Sequence, residues 1–343
     1  MVPAAGAAAF FPEKRTEADR RRTLTGADLD MKIVFMGTPD FAVPCLDSLV
    51  KAGHEVAAVF TQPDKPKNRG HKMTPPPVKE CALAHDIPVY QPLSLRRNKS
   101  EDAEAAFDTL KSISPDCIVV VAYGQILPKE VLDIPKYGCI NVHASLLPRY
   151  RGAAPIQHCI INGEKETGVT TMYMAEGLDT GDMILVGKVE IGERMTASEL
   201  HDRLSEMGAE LIVRTLDEVA KGTAPRIPQT DENTCYASML TKEMCRIDFS
   251  QPIDKVYDLI RGMSASPCAF TFLDGRRFKV YFAEKTDIRT DLPAGTAADD
   301  SLGVSCGGYI LKLTDVQAEG SRRMSADDYL RGKKVPKGTV FGE

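Results

Sequence analysis

Three residues define the chemistry this chain is equipped for. Asn141 and His143 stand two apart in the run Asn-Val-His-Ala-Ser-Leu-Leu-Pro at 141–148, and Asp179 follows in Leu-Asp-Thr-Gly-Asp at 178–182. On an extended strand, residues i and i+2 project from one face, so an amide and an imidazole sit side by side. An amide donor beside a histidine oriented by a carboxylate can hold the oxygen of a tetrahedral intermediate and move a proton. That set requires no serine or cysteine nucleophile, which points to direct transfer of a group onto an incoming nucleophile. Asp179 has a competitor in Asp182, and aspartate before Thr-Gly is also a common turn former. Alone, His143 reads as a satisfied strand-end histidine and Asn141 as a backbone cap. The ordered set of three carries the catalytic reading.

The surrounding elements must bring these residues together. Residues 32–36 form a short apolar run ending at Gly37, a helical pattern covers 41–52, and 54–61 reads as a second strand. This is the β-turn-α-β opening of a doubly wound α/β domain. It lacks Gly-x-Gly-x-x-Gly, so a dinucleotide site is not supported. Residues 116–123 and 138–143 are near-continuous apolar runs, as buried parallel strands are. Asn141 and His143 then fall at a strand end, where open α/β sheets bind ligands. Residues 170–174 and 183–191 read as two more strands around the Gly181-Asp182 turn, and 196–221 as a long amphipathic helix. Residues 222–234 look like a linker. Beyond it the pattern changes to one short helix at 254–262 and short strand candidates at 269–273, 278–283, 304–306, 309–313 and 340–341. Turn pairs such as Asp274-Gly275 and Gly307-Gly308 separate them, which suggests a small barrel.

At 343 residues the chain is long enough for two domains. The net charge of −5 supplies no global field for nucleic acid, so any RNA contact must come from local basic clusters. No apolar run is long enough to span a bilayer, and a cytoplasmic monomer is expected. The 9 cysteines are scattered without a Cys-x-x-Cys pair, which favours buried free thiols in a reducing compartment over disulfides. No cluster has metal-ligand spacing, so no metal is expected. Residues 1–30 pass from an Ala-rich stretch to a charged run. They make a poor secretory signal, and their acidic residues argue against a mitochondrial transit peptide. A disordered extension with no part in the chemistry is expected there.

The run at 141–148 with Asp-Thr-Gly at 179–181 resembles the signature of the 10-formyltetrahydrofolate-dependent formyltransferases. So do Met-Lys-Ile-Val-Phe-Met-Gly-Thr-Pro-Asp-Phe at 31–41 and Gly-Ala-Ala-Pro-Ile-Gln at 152–157. Within that family the likeness is to members acting on methionyl initiator tRNA, and it covers all but the first 30 residues or so. It implies a Rossmann-like formyltransferase domain at 31–221, the linker, and an OB-fold-like tRNA-binding barrel at 235–343. It implies 10-formyltetrahydrofolate as donor and a neutral primary amine as acceptor. Asn141 and protonated His143 would donate to the formyl oxygen, with Asp179, rather than Asp182, as the carboxylate.

The folate pocket should be apolar with backbone donors. Tyr123, Gly124, Gln125, Ile126 and Leu127 follow a buried strand and have that character, and Ser145, Leu146, Leu147, Pro148, Gly177 and Leu178 would complete it. The segment 62–79 is too long and irregular for a simple connection. By itself it reads as a solvated basic loop; the resemblance implies that it enters the tRNA acceptor stem. Lys65, Lys67, Arg69 and Lys72 would then contact tRNA, with Arg69 before Gly70 matching the family's key arginine. Basic clusters at 276–279, 322–323 and 331–337 matter only if they share a face. The rival reading is a sugar-nucleotide N-formyltransferase with the same donor, against which the Arg69 loop and the Gly-Thr-Pro-Asp-Phe opening argue. A non-catalytic tRNA-binding module would not need the Asn/His/Asp set.

Overall fold

A computed structural model describes residues 31–67, 72–97 and 99–342. The extension at 1–30 and Arg69 lie outside the described residues, as do the side chains of Lys67 and Lys72. Two compact units are interleaved in sequence. One takes its described residues up to Arg151, with Gly168–Val189 and Asp202–Cys235; the other takes Gly152–Thr167, Glu190–His201 and Tyr236–Glu343.

The first unit is built on β1 (Lys32–Gly37), β2 (Glu55–Phe60), β3 (Lys65–Lys67), β4 (Lys72–Thr74), β5 (Val89–Tyr90), β6 (Cys117–Val121), β7 (Cys139–His143), β8 (Glu166–Tyr173) and β9 (Met183–Glu190). Seven of them form one sheet in the order β9-β8-β7-β6-β1-β2-β5. The strands from β7 to β5 run parallel. β8 returns antiparallel, with Asn141 opposite Met172 and His143 opposite Thr170. All five residues of β6 are buried, which explains its unbroken apolar run. The run ends earlier than its composition suggests because Ala122 and Gly124 take left-handed backbone, at φ 47° and 85°.

The expected helix at 41–52 divides into a single 3-10 turn, Asp40–Ala42, and the helix Val43–Lys51, with a proline in its first turn. The long helix covers Ala197–Ala220. Within the first unit, Ser205 donates to the Phe41 carbonyl (2.8 Å), and the Thr171 and Thr215 hydroxyls pair at 2.8 Å. Gly37 is required by close approach. A Cβ there would meet the Phe35 ring at 2.7 Å and the Val121 carbonyl at 3.0 Å. Next to it, the Thr38 hydroxyl donates to the Tyr123 carbonyl (2.9 Å) and accepts from the Gln62 amide (3.3 Å). One side chain thus ties the ends of β1, β2 and β6 together, a role its sequence context did not reveal.

The segment read as a linker is paired rather than free. Ile227 exchanges two backbone hydrogen bonds with Met183, at 2.9 and 3.0 Å, so the chain runs along β9 before leaving the unit.

The second unit contains β10 (Ala269–Leu273), β11 (Arg276–Arg289), β12 (Gly303–Cys306), β13 (Tyr309–Ala318) and β14 (Met324–Ser325). They pair antiparallel in the order β10-β11-β13-β12, with β14 on β13. β11 is longer than the expected 278–283. Its continuation through Glu284, Lys285 and Asp287 is polar, and register shifts interrupt its pairing with β13. Such irregularities bend a strand and hide its alternation. The expected strand at 340–341 is reduced to single bridges, Val340 with Thr296 and Phe341 with Leu273. The core joins Phe278, Val280, Val304, Leu311 and Val316 to Val256, Ile260 and Met263 of the helix Ile253–Met263. A bent antiparallel sheet closed by short bridges is consistent with a small OB-like barrel.

All nine cysteines are unpaired, and only Cys81 and Cys235 are not fully buried. Burial pushes the thiols of Cys45, Cys139 and Cys306 up to about 12. Among the described residues, no helix is long and apolar enough to cross a membrane.

Candidate active site

The site forms where β7 ends. His143 is 5% exposed, and its Nε2 lies 2.9 Å from the Tyr150 carbonyl oxygen. A carbonyl can only accept, so Nε2 carries the hydrogen and Nδ1 is the nitrogen left for chemistry. Nδ1 faces Asp179 Oδ2 at 3.7 Å, ion-pair range rather than a direct hydrogen bond. The sequence implied a histidine and a carboxylate; the fold distinguishes the two ring nitrogens. Asp182, the competing carboxylate, turns instead to Arg226 (3.5 Å), whose guanidinium stacks 3.7 Å over the Tyr173 ring. Asn141 is partly exposed on the same face of β7, and its side-chain amide has no protein hydrogen-bond partner among the described residues. An imidazole nitrogen therefore faces a carboxylate at a strand end, with Asn141 on the same strand face as the imidazole.

Two turns hold this geometry. After β7, Thr170 donates to the Ser145 carbonyl (2.7 Å) and accepts from the Leu147 amide (3.2 Å), while Ser145 donates to the Arg149 carbonyl (2.6 Å). After β8, Asp179 sits in left-handed backbone at φ 53°, and Gly177 at φ 134° precedes it. The Asp179 turn is gripped by Gln229, whose amide nitrogen donates to the carbonyls of Asp179 and Gly181, each at 2.8 Å. Gln229 in turn accepts from Arg151 Nε at 3.0 Å, and Arg151 is 3% exposed. Sequence reasoning missed Thr170, Arg151 and Gln229. Gln229 lies in the linker-like stretch, and nothing local in the sequence pairs it with a turn 48 to 50 residues earlier.

The expected pocket residues divide into three groups by burial. Tyr123 and Leu127 are buried in the apolar cluster with Val34, Phe60 and Leu110, and burial raises the Tyr123 phenol well above its usual range. Ser145 is fully buried and committed to its own turn, and Leu147 is buried. These four offer a ligand little beyond backbone. Gly124, Ile126, Gly177 and Leu178 are exposed, with Ile126 at 74% and Leu178 at 55%. Gln125, Leu146 and Pro148 are half-buried, and Gln125 donates to the Pro92 carbonyl (2.9 Å).

Of the expected tRNA-facing residues, Lys65 is exposed and opens a hairpin in which β3 pairs with β4, Lys67 opposite Lys72. The hairpin's base is tied by Lys79. Its ammonium donates to Asp64 (2.8 and 2.9 Å) and Gln91 (2.8 Å), and Gln91 donates back to Asp64 (2.8 Å). Lys79 first, and Gln91 after it, hold the Asp64 carboxyl below the usual carboxylate range. In the second unit, several basic residues are already paired. Lys333 meets Asp274 (2.8 Å), Arg323 and Arg331 meet Asp315 and Asp328, and the Arg277 guanidinium lies 3.7 Å over the Phe270 ring.

Comparison with known proteins bears on this geometry. The formyl transferase family profile matches residues 31–216, and the formyl transferase C-terminal domain profile matches 239–334. The methionyl-tRNA formyltransferase of Alkaliphilus oremlandii (strain OhILAs) is 49% identical over 316 residues, covering 91% of this chain and 100% of that protein. The protein of the same name from Pelotomaculum thermopropionicum (strain DSM 13744 / JCM 10971 / SI) is 50% identical over 317 residues, covering 91% and 99%. Among solved structures, WlaRD, a sugar 3N-formyl transferase crystallised with dTDP and 5-N-formyl-THF, superposes with a TM-score of 0.62 at 19% identity, covering 87% of this chain and 100% of that one. HypX from Aquifex aeolicus, in complex with tetrahydrofolic acid, gives a TM-score of 0.60 at 16% identity, covering 88% of this chain and 47% of that one. These structures share the fold.

Proposed function

The chain belongs to the methionyl-tRNA formyltransferase family, and from that premise we propose that Asn141, His143 and Asp179 carry its formyl transfer. It transfers a formyl group from a folate donor to the free amino group of methionyl initiator tRNA, for translation initiation. The donor is 10-formyltetrahydrofolate. The amine nitrogen bonds to the formyl carbon while the bond from that carbon to folate N10 breaks. The amine gives up one proton and N10 takes one up.

Negative charge builds on the formyl oxygen as the carbon becomes tetrahedral. Asn141 donates an amide N–H to that oxygen. His143 keeps its Nε2 hydrogen on the Tyr150 carbonyl, so the mobile proton belongs to Nδ1. Protonated there, it is the second donor to the oxygen, and Asp179 at 3.7 Å compensates the ring's charge and passes the proton on. The donor fits the strand end through the partly exposed Asn141 amide, the exposed Gly124 backbone and the apolar surfaces of Ile126 and Leu178. Residues 31–221 act as the catalytic domain and 235–343 as the tRNA-binding domain, working as a monomer. The segment 65–72, with Lys65, Lys67, Arg69 and Lys72, reads the acceptor end, the planar fork of Arg69 being suited to phosphates and base edges.

The carrying observation is the His143 ring, fixed at one nitrogen by a backbone carbonyl and facing a carboxylate with the other. An amino-sugar nucleotide acceptor is not favoured, since the sugar formyltransferase structures are far more distant than the tRNA enzymes. The test is steady-state formylation of methionyl initiator tRNA, with an amino-sugar nucleotide as the competing acceptor. Asn141→Ala and His143→Ala should each lower kcat about 10²–10³-fold, leaving both KM values within a few-fold. Near-native turnover by His143→Ala would sink the assignment, and formylation of the sugar alone would sink the acceptor.

A further inference from the structure

The contacts around His143 and Asp179 form a closed ring through Tyr150, Arg151 and Gln229. Nε2 of His143 donates to the Tyr150 carbonyl (2.9 Å). The next residue, Arg151, is buried and donates from Nε to Gln229 Oε1 (3.0 Å). Gln229 Nε2 donates to the carbonyls of Asp179 and Gly181 (2.8 Å each), and Asp179 Oδ2 returns to His143 Nδ1 at 3.7 Å. We propose that Gln229 is a positioning residue for the transfer reaction, setting the separation of Asp179 from His143 by clamping the aspartate's turn to the segment that anchors the imidazole. This rests on the reading of Asp179 and His143 as catalytic.

The side-chain chemistry fits the clamp closely. A primary amide has two N–H donors and one carbonyl acceptor. Here both donors meet carbonyls that can only accept, and the acceptor meets a guanidinium that can only donate. A flipped amide would set oxygen against two carbonyl oxygens, so one orientation is enforced. Asn cannot span the same distance, being one methylene shorter, and Glu supplies no donor for either carbonyl when ionised. The clamped turn needs external support, because Asp179 occupies left-handed backbone without being glycine. Arg151 also reaches Asp231 (3.4 Å) and receives the Cys235 carbonyl on its own amide (3.0 Å). The segment 229–235 is therefore fastened to the imidazole side of the ring at several points, and the Gln229 side chain carries that anchoring across to the aspartate turn.

The experiment is a double-mutant cycle on the full chain, measuring formylation of methionyl initiator tRNA by wild type, Gln229→Ala, Asp179→Ala and the double variant. Thermal unfolding is recorded for each. Gln229→Ala should lower kcat about 10²-fold, the scale of roughly 1 Å of misplacement, with KM for tRNA and folate within about threefold. In the Asp179→Ala background the same change should alter kcat less than twofold, because the group it positions is gone. A residue that only stabilises the fold would lower the melting temperature in both backgrounds without that kinetic coupling. If Gln229→Ala does not fold, Gln229→Asn replaces it with the same expectations. Full kinetic additivity, or unchanged kcat in Gln229→Ala while Asp179→Ala is crippled, overturns the positioning role and leaves the catalytic reading standing. Near-native kcat in Asp179→Ala overturns both.

Discussion

Replacing Gly181 with alanine tests whether the Asp179 turn is held to catalytic tolerance. A Cβ at 181 would lie 1.8 Å from the Tyr173 carbonyl oxygen, 2.9 Å from its carbon and 3.3 Å from the Ala175 amide nitrogen. All three are backbone atoms, and Tyr173 is locked by its amide's bond to the Asp182 carbonyl (2.9 Å), so no side-chain rotation relieves the clash. Real Cβ contacts are essentially never under 3.0 Å, so the turn must withdraw by roughly 1 Å or more. Asp179 is two residues away on the same turn, and Gln229 holds both carbonyls, so the displacement reaches the carboxylate. A misplacement of about 1 Å typically costs about 10² in rate, equivalent to ~2.7 kcal/mol of transition-state stabilisation. Overpacking of this kind also destabilises the fold by about 1–3 kcal/mol. Single-turnover formylation of methionyl initiator tRNA at saturating donor isolates the chemical step from binding. The control is Gly222→Ala, where φ is +69° and nothing lies within 4 Å of the new Cβ. That variant should lose about 1–2 kcal/mol of stability through left-handed backbone and keep its rate. A Gly181→Ala enzyme with a single-turnover rate within threefold of wild type would refute the tight coupling of turn and carboxylate.

Two further outcomes follow from the titration of buried and paired groups. Native protein treated with a thiol-specific reagent at neutral pH should label at most Cys81 and Cys235. The other seven thiols are buried, and burial pushes Cys45, Cys139 and Cys306 up to about 12, leaving almost no thiolate; rapid labelling of Cys139 in folded protein would contradict this packing. Asp64 should titrate below the usual carboxylate range in wild type, and carboxyl carbon NMR of Lys79→Met should find it raised towards the ordinary value. The sign is set by linkage. A depressed folded-state pKa stabilises above the unfolded value and is lost as pH falls through the folded one, so the hairpin anchor weakens only in acid. An Asp64 titration unmoved by Lys79→Met would remove Lys79 as the cause.

What was legible in the sequence depends on the range over which each residue acts. β6 and β7 announced themselves because burial on both faces demands an unbroken apolar run, and the long helix because one face must be apolar over many turns. Asn141 and His143 could be placed together because a strand alternates with period 2. Local sequence alone leaves Asp179 and Asp182 equivalent, since both flank the same Thr-Gly turn; the family resemblance points to Asp179, and in the fold Asp179 faces His143 while Asp182 turns to Arg226. Tyr123 and Leu127 looked like pocket residues from composition. Whether an apolar side chain after a strand faces ligand or core depends on the left-handed backbone at Ala122 and Gly124, which their sequence does not advertise. β11 was cut short because its far half is polar and its pairing irregular.

The least legible part of the site is also the part that unites it. Residues 222–234 have the Gly/Pro/Thr composition of a connection, and composition carries no sign of a long-range partner. Yet Ile227 pairs with Met183 at the sheet edge, and Gln229 two residues on aims its amide at the Asp179 turn. The backbone pair of Ile227 with Met183 fixes the chain two residues before Gln229 and so limits where its amide can reach. A linker that merely spanned a gap would need neither the register nor the amide. Because this one is pinned beside Asp179, inserting or deleting a residue between Ile227 and Gln229 would displace the Gln229 amide and release the turn. The connection is thereby subject to the same geometric demands as the strand that carries Asn141 and His143.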